Sequence, residues 1–280
     1  MDRPTEQAVF WDDRADAWAR HADAMEAFAR QFGDPAIDIL VPRPGQHVGD
    51  VGCGPGLTTI ALGRRVAPGG TATGVDVSPR MVETATARVA AVDASNVRFA
   101  VGDPGAGPIG PFDAIYARFG VMFFDDRATA FTNIARSIRP GGRFVAVVWA
   151  ELEANPWMFL PTMFAAGPLA AELTLPGPDE PGPLSLADPA ETVALLESCG
   201  FGDVEVVRHD GGWTFDTGTA DDAIARMLSV GAVGEAWASA DDGARGAAVE
   251  AVREACADHR LGDGWRLPAT ALTFSASVRS

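Results

Sequence analysis

The sequence predicts an α/β protein whose mostly parallel sheet carries helices on both faces. Three observations point there. Between residues 46 and 149, short strand-like runs alternate with helical segments, the pattern of strand–helix–strand units. The first strand feeds a glycine-rich turn, Gly52-Cys53-Gly54-Pro55-Gly56, which opens a helix. Asp50, Asp76 and Asp103 stand at the ends of the first three strands, the edge at which open α/β sheets bind ligands.

The elements follow in order. Residues 5–32 read as a helix, because Phe10, Trp11, Trp18, Met25, Phe28 and Phe32 recur at helical spacing with Asp and Arg between them. Pro35 and the turn Pro42-Arg43-Pro44-Gly45 are expected to break the chain. His47–Val51 is a strand and Leu57–Val66 a helix. Thr71–Asp76 is the next strand, and Pro79–Val92 a helix with Ser78 at its N-cap. Val97–Val101 and Phe112–Ala117 are strands. Arg127–Ile138 is a helix capped by Asp125 or Asp126, and the turn Pro140-Gly141-Gly142 leads into strand Arg143–Trp149. Residues 151–190 hold eight prolines and are expected to form short helices and loops, a cap over the functional edge of the sheet. Glu191–Ser198 reads as helix, Val204–His209 as strand, Ala220–Gly231 and Gly243–Arg260 as helices, and Ala271–Val278 as the last of seven strands. The expected organisation is an N-terminal helical lid at 1–44, a ligand-binding core at 45–150, a cap insertion at 151–190, and a segment at 191–280 that completes the sheet and carries inserted helices.

The 280 residues are enough for one large domain, or for a domain with a substantial cap. The net charge is −16, and all 22 basic residues are arginine. The absence of lysine excludes Schiff-base chemistry, pyridoxal phosphate attachment and Walker-type phosphate loops. The acidity argues against nucleic acid or an anionic membrane as a partner. It is also uneven: net −4 over residues 1–44, +2 over 45–150 and −14 over 151–280. Cys53, Cys199 and Cys256 show no metal-binding or CxxC spacing, and reduced thiols in the cytoplasm are expected. The chain's start lacks the basic and apolar runs of a signal peptide, and no stretch is apolar for long enough to span a bilayer.

The glycines at 52, 54 and 56 give GxGxG, whereas a dinucleotide fingerprint is GxGxxG. Asp50 stands two residues before the first of them. Its carboxylate would repel a pyrophosphate and attract an ammonium group. The loop therefore suits a nucleoside with a cationic amino-acid tail better than a dinucleotide. Asp76, 20 residues after Gly56, can accept from both ribose hydroxyls. Asp103 can accept from an adenine amino group.

These residues resemble the class I S-adenosylmethionine (SAM) dependent methyltransferases, whose fold is a Rossmann-like seven-stranded sheet. The chain is most similar to the bacterial small-molecule group related to the ubiquinone/menaquinone-biosynthesis methyltransferases. The resemblance continues through Phe112–Ile115, Ala117–Phe124, Arg139–Gly142, Glu153–Trp157 and Trp265–Pro268. It implies that Asp50, Gly52, Gly54 and Gly56 hold the methionine end of SAM. It implies that Asp76 holds the ribose, Met81 packs near the adenine and Asp103 lies by its amino group. Arg118 and Phe119 would border the transferring methyl, and Trp11 would close over the cofactor. Two positions depart from the family: Gly49 replaces a bulky aliphatic residue, and Pro104 removes an N–H after Asp103.

A sulfonium methyl is already activated, so aligning the acceptor and excluding water are the main tasks, and a base is optional. His21 is the candidate base, because the N-terminal helix is expected to lie over the site. No metal is expected. The Asp-Asp pairs at 12–13, 125–126, 221–222 and 241–242 sit at or near predicted helix starts, where capping explains them. Six of the seven tryptophans lie in the N-terminal helix, the cap and the late insertions, which suits an apolar or aromatic small substrate. Methyl transfer to O, N or C, in secondary metabolism, is the leading expectation. A SAM-bound cyclisation and a non-catalytic SAM-binding subunit are the rivals. The expected partner is a small-molecule substrate, with a homodimer left open as the assembly.

Overall fold

A computed structural model describes residues 5–278 except 93, 174, 175, 178 and 263. Pro178, one of the eight prolines counted above, thus lies outside the described residues. The chain runs through α1 (Glu6–Leu40), β1 (His47–Val51), α2 (Leu57–Val66), β2 (Thr71–Asp76), α3 (Pro79–Ala90), β3 (Val97–Val101), β4 (Phe112–Arg118), α4 (Arg127–Arg136) and β5 (Ile138–Trp149). Then come α5 (Pro156–Ala166), α6 (Pro189–Ser198), β6 (Phe201–Asp216), α7 (Ala220–Val230), α8 (Gly234–Ser239), α9 (Asp242–Ala255), β7 (Arg260–Leu261) and β8 (Gly264–Val278). Seven strands align as β3-β2-β1-β4-β5-β8-β6, with the two-residue β7 pairing β8 off that path. β1 to β5 pair in parallel, and β8 runs antiparallel to β5. This is the mostly parallel, helix-flanked sheet expected from the alternation. The strand order reverses at β1, which lies between β2 and β4. At such a switch point the following loops part and leave a crevice beyond the strand ends.

The chain forms two compact units. The first holds residues up to 149, 177–209 and the C-terminal segment from 271, and so contains β1–β5 and α1–α4. The end of β5 is a buried run, Phe144 to Trp149, as expected for a strand covered on both faces. The second unit holds 150–176 and 210–270. Its interior includes Trp157 against Trp213 (5.6 Å), Phe215 stacked on Trp265 (5.6 Å), and Ile224, Val252 and Leu267. Asn155 is fully buried there. Its Nδ2 donates to the carbonyls of Ala150 (3.1 Å) and Thr270 (3.0 Å), and its Oδ1 accepts from Thr270 N–H (3.0 Å) and Trp157 Nε1–H (3.1 Å). Every hydrogen-bonding atom of the amide is therefore used, which is what a buried polar group requires. Among the described residues no helix is long and apolar enough to cross a membrane.

Several local expectations change: Ile138, read as the end of a helix, opens β5, α9 stops at Ala255, and β6 and β8 run longer than the strands read at Val204–His209 and Ala271–Val278. Pro35 does not stop α1, which continues to Leu40 and ends at Val41 in a left-handed cap (φ 52°). The proline removes one donor from the helix, but Ala36, Ile37 and Leu40 are buried beyond it, and that packing outweighs the missing bond. The predicted Pro140-Gly141-Gly142 turn is instead a bulge inside β5. Pairing jumps there from Phe112–Ile138 to Ala114–Arg143. Gly49, which departs from the family pattern, has a local explanation. A Cβ there would lie 2.9 Å from the Phe112 ring, which is itself buried. The aromatic ring occupies the space that a larger side chain on β1 would fill.

Gly49→Val is therefore expected to overpack this spot and destabilise the fold by about 1–3 kcal/mol. Adding Phe112→Ala should cost less in the Gly49→Val background than in wild type. Urea midpoints of the four proteins check this, and strict additivity would show that the two positions do not share the space.

Candidate functional site

The site is built where β1 and β2 end. Asp50 is 2% exposed, and its Oδ2 accepts from the Thr59 hydroxyl of α2 (2.6 Å). Burial pushes its pKa up to about 7, against the opposing pull of the Thr59 bond and the Arg118 charge. Asp76 is 9% exposed and has donors on both oxygens. Gly54 N–H donates to Oδ2 (2.8 Å) and Ser78 N–H to Oδ1 (3.0 Å). Burial raises its pKa too, with those N–H groups working the other way. Gly54 has φ +49°, and the direction a Cβ would take is empty for 4 Å. A left-handed glycine facing open space beside two buried carboxylates is a cradle that a ligand's polar end can enter. Cys53 is buried within the same loop. Burial pushes its thiol well above the ordinary value, which disfavours the nucleophilic thiolate.

Ser78 caps α3: its Oγ accepts from Met81 N–H (3.1 Å), and Met81 is buried. Asp103 is half-buried beyond β3. Its Oδ1 accepts from Gly105 N–H (2.7 Å), and Gly102 N–H donates to the Asp76 carbonyl (3.0 Å). Asp103 therefore follows directly on a residue bonded to the end of β2. The Pro104 carbonyl accepts from Asn133 Nδ2 (2.8 Å), which fixes the turn despite the missing N–H.

α1 closes the other side. Trp11 is half-buried, with its ring edge-on to Phe123 (4.8 Å), Phe10 (5.2 Å) and Trp18 (6.1 Å). Trp18 Nε1 is buried without a hydrogen-bond partner among the described residues. His21 is half-buried on α1, three residues past Trp18. Arg118, at the end of β4, pairs through both guanidinium nitrogens with Glu26 of α1, and both side chains are largely buried. Gly33 makes this possible, because a Cβ there would stand 2.7 Å from Arg118 Nη1. The Tyr116 hydroxyl donates to the Gly33 carbonyl (3.2 Å), which makes the chain's single tyrosine a buried packing residue. Phe119 has φ +62°, rare for a residue with a side chain and costing about 1–3 kcal/mol. Its N–H donates to the Val147 carbonyl (2.8 Å), and its ring stacks on Trp149 at 3.9 Å and 9°.

Comparison with known proteins agrees with this geometry. The family described as "Methyltransferase domain" matches residues 48–142, which contain the loop and all three aspartates. The aklanonic acid methyltransferase DauC of Streptomyces sp. (strain C5) is 30% identical over 186 residues, 62% of this chain and 83% of that protein. The chain belongs to the class I SAM-dependent methyltransferases. The nocamycin O-methyltransferase of Saccharothrix syringae is 36% identical over 118 residues, 41% of this chain and 42% of that protein. The chain thus spans less than half the length of several curated relatives it matches. The structure of the YcgJ protein from Bacillus subtilis superposes with a TM-score of 0.58 at 21% identity, covering 90% of this chain and 99% of that one. At that identity it establishes the fold.

SAM is the cofactor of this family, and the donor set fits it. A buried anion at Asp50 suits an ammonium group, Asp76 has lone pairs beyond its two backbone bonds for ribose hydroxyls, and the space at Gly54 is open. Sequence reading named Trp18 only as part of the periodic face of the first helix, and it did not single out Glu26 or the role of Asp12 described below. Trp18 and Met25 fall in register with Trp11 on one face of α1, the signal that could have included Trp18. Nothing in the spacing marks Glu26, whose partner lies 92 residues away.

Asp50 gives a pH prediction. Its folded pKa of about 7 exceeds the ordinary 3.8, so between these values the folded chain binds a proton that the unfolded chain does not. Stability therefore falls as pH rises through that window. Asp50→Asn should remove this component, making the two stability curves diverge by a few kcal/mol (order of magnitude) from pH 4 to pH 8. Guanidinium denaturation across that range reads it, and parallel curves would refute the assignment.

Proposed function

We propose that this protein transfers the methyl group of SAM to an oxygen of a small, largely apolar or aromatic molecule in secondary metabolism. The observation that carries the proposal is the convergence of Asp50, Asp76 and the open Gly54 cradle at one strand edge. In this reading Asp50 with Gly52, Gly54 and Gly56 holds the methionine end. Asp76 holds the ribose hydroxyls, with Met81 and Asp103 beside the adenine. Trp11 covers the cofactor, and Arg118 and Phe119 border the reactive methyl. Bound SAM supplies an electrophilic methyl on a sulfonium, and the chain's work is to orient the acceptor and keep water out. The rings of Phe28, Phe32, Phe119 and Trp149 form a contiguous cluster, with neighbouring centroids 3.9–6.3 Å apart. Phe28, Phe32 and Trp149 are buried, and the half-buried Phe119 presents the cluster's ring face beside Arg118, which favours a flat, apolar acceptor. The choice of oxygen follows the likeness to the nocamycin O-methyltransferase. His21 is the residue we assign to taking the acceptor's proton. Buried, free cysteines among the described residues favour a reducing, cytoplasmic setting.

Two measurements test this reading. Methyl-labelled SAM offered with phenolic and carboxylic aromatic acceptors should leave label on product oxygen, and His21→Asn should lower kcat by roughly 10²–10⁴-fold. An altered acceptor with SAM intact would assign cyclisation in its place. In calorimetry S-adenosylhomocysteine should bind, and Asp76→Ala should weaken it by roughly 100-fold or more, as expected when charged hydrogen bonds to two hydroxyls are lost. A wild-type protein that binds neither SAM nor S-adenosylhomocysteine would refute the proposal.

A further inference from the structure

We propose that Asp12 is a positioning residue for the nucleoside site: acting through Ser78, it fixes Asp76 and so couples the seating of α1 to ribose binding. The inference rests on the reading of Asp76 as the ribose carboxylate. Asp12 lies well inside α1, whose own N-cap is Thr5, with Oγ1 accepting from Ala8 N–H (3.2 Å). The capping expected of Asp12 from sequence is realised on a different helix. Its Oδ1 accepts from the Ser78 hydroxyl (2.7 Å) and from Arg80 N–H (3.0 Å), at the N-terminus of α3. A carboxylate is favoured there by the unpaired N–H groups and the helix dipole.

Ser78 is fully buried, and three of its hydrogen bonds bear on the site. Its hydroxyl donates to Asp12, its Oγ accepts from Met81 N–H, and its backbone N–H donates to Asp76 Oδ1. Asp76 Oδ2 in turn accepts from Gly54 N–H. One chain of hydrogen bonds, none longer than 3.0 Å, therefore runs Asp12–Ser78–Asp76–Gly54, from the N-terminal helix to the glycine loop. Removing Asp12 leaves a buried hydroxyl proton without its acceptor. The hydroxyl must then turn, and it competes with its own bond to Met81. The N-cap that aims Ser78 N–H at Asp76 loosens as a result. Asp16, one turn along α1, ties the same helices together through Arg80 (2.5 Å) and does not touch Ser78. It is the natural control for simple docking.

The test is calorimetry of the full chain with two probes, S-adenosylhomocysteine and adenosine, the second lacking the methionine end. Asp12→Ala should weaken both probes by a similar factor, roughly tenfold. Asp12→Asn, which keeps an acceptor oxygen, should recover most of the loss. Asp16→Ala should leave both affinities within about twofold of wild type. Ser78→Ala should weaken both probes, and Asp12→Ala added to it should cost little more. Circular dichroism and melting temperatures confirm that each variant is folded. The proposal is overturned if Asp12→Ala spares adenosine, if Asp16→Ala weakens the probes as much as Asp12→Ala, or if the Asp12 and Ser78 losses add. Wild-type binding with any of these results overturns the coupling alone, whereas no wild-type binding overturns the SAM reading with it.

Discussion

Two carboxylates buried at the ends of adjacent parallel strands set the terms for the structure around them. An anion in a protein interior is costly unless donors or a cation meet it. Asp50 and Asp76 are supplied from different elements: Thr59 from α2, Gly54 from the loop, and Ser78 from the start of α3. The loop's path follows from this need. Gly54 donates its N–H to Asp76 and then turns into the left-handed region, and the absence of a side chain there leaves the cradle open. The features that hold the loop in shape are thus the ones that make it a ligand site. Asp50 meets the Thr59 hydroxyl where Asp76 meets two backbone N–H groups, so a cationic ligand group has more to gain beside Asp50.

The same electrostatics explains how α1 is held. The first 44 residues carry net −4 and the next 106 net +2, and in three dimensions these charges meet. Asp16 pairs with Arg80 (2.5 Å), Asp23 with Arg88 (3.0 Å), Glu26 with Arg118 and Asp38 with Arg65 (2.9 Å). The pairs differ in weight. Those of Asp16, Asp23 and Asp38 are solvent-exposed on at least one side, and each contributes no more than about 1 kcal/mol. Glu26–Arg118 is largely buried, and breaking it by removing one partner leaves an isolated charge, at a cost of about 3–5 kcal/mol. The exposed pairs set the register of the helix against α3 and α2, and the buried one anchors it to β4.

How much was legible in the sequence depended on the range of the interaction. The β1–α2 loop, Asp76 at the end of β2 and the Ser78 cap are local patterns, and the structure places each of them as read. Partnerships across the fold are not local. No spacing rule links Asp12 to Ser78, 66 residues on, or Glu26 to Arg118, 92 residues on. The Asp12-Asp13 pair was read as a cap, which was correct in chemistry and wrong in address. Element lengths failed where tertiary burial overrode local signals. Pro35 sits inside α1, and β6, read as Val204–His209, runs on through Gly211 and Gly212. At Gly212 the Leu267 carbonyl would lie 3.0 Å from a Cβ, so that glycine marks close backbone approach and not the end of a strand.

The missing lysine has its clearest consequence at the site. Arginine stays charged at every pH at which the fold persists, and its planar fork can engage a carboxylate through two nitrogens. The pairs that seat α1 are therefore insensitive to pH near neutrality on their basic side. Asp50 differs, because burial brings its titration to about pH 7. A cationic ligand group placed beside Asp50 favours its ionised form, so binding at or below pH 7 displaces a proton from that carboxyl. The proton comes from Asp50 because the Arg118 guanidinium keeps its own.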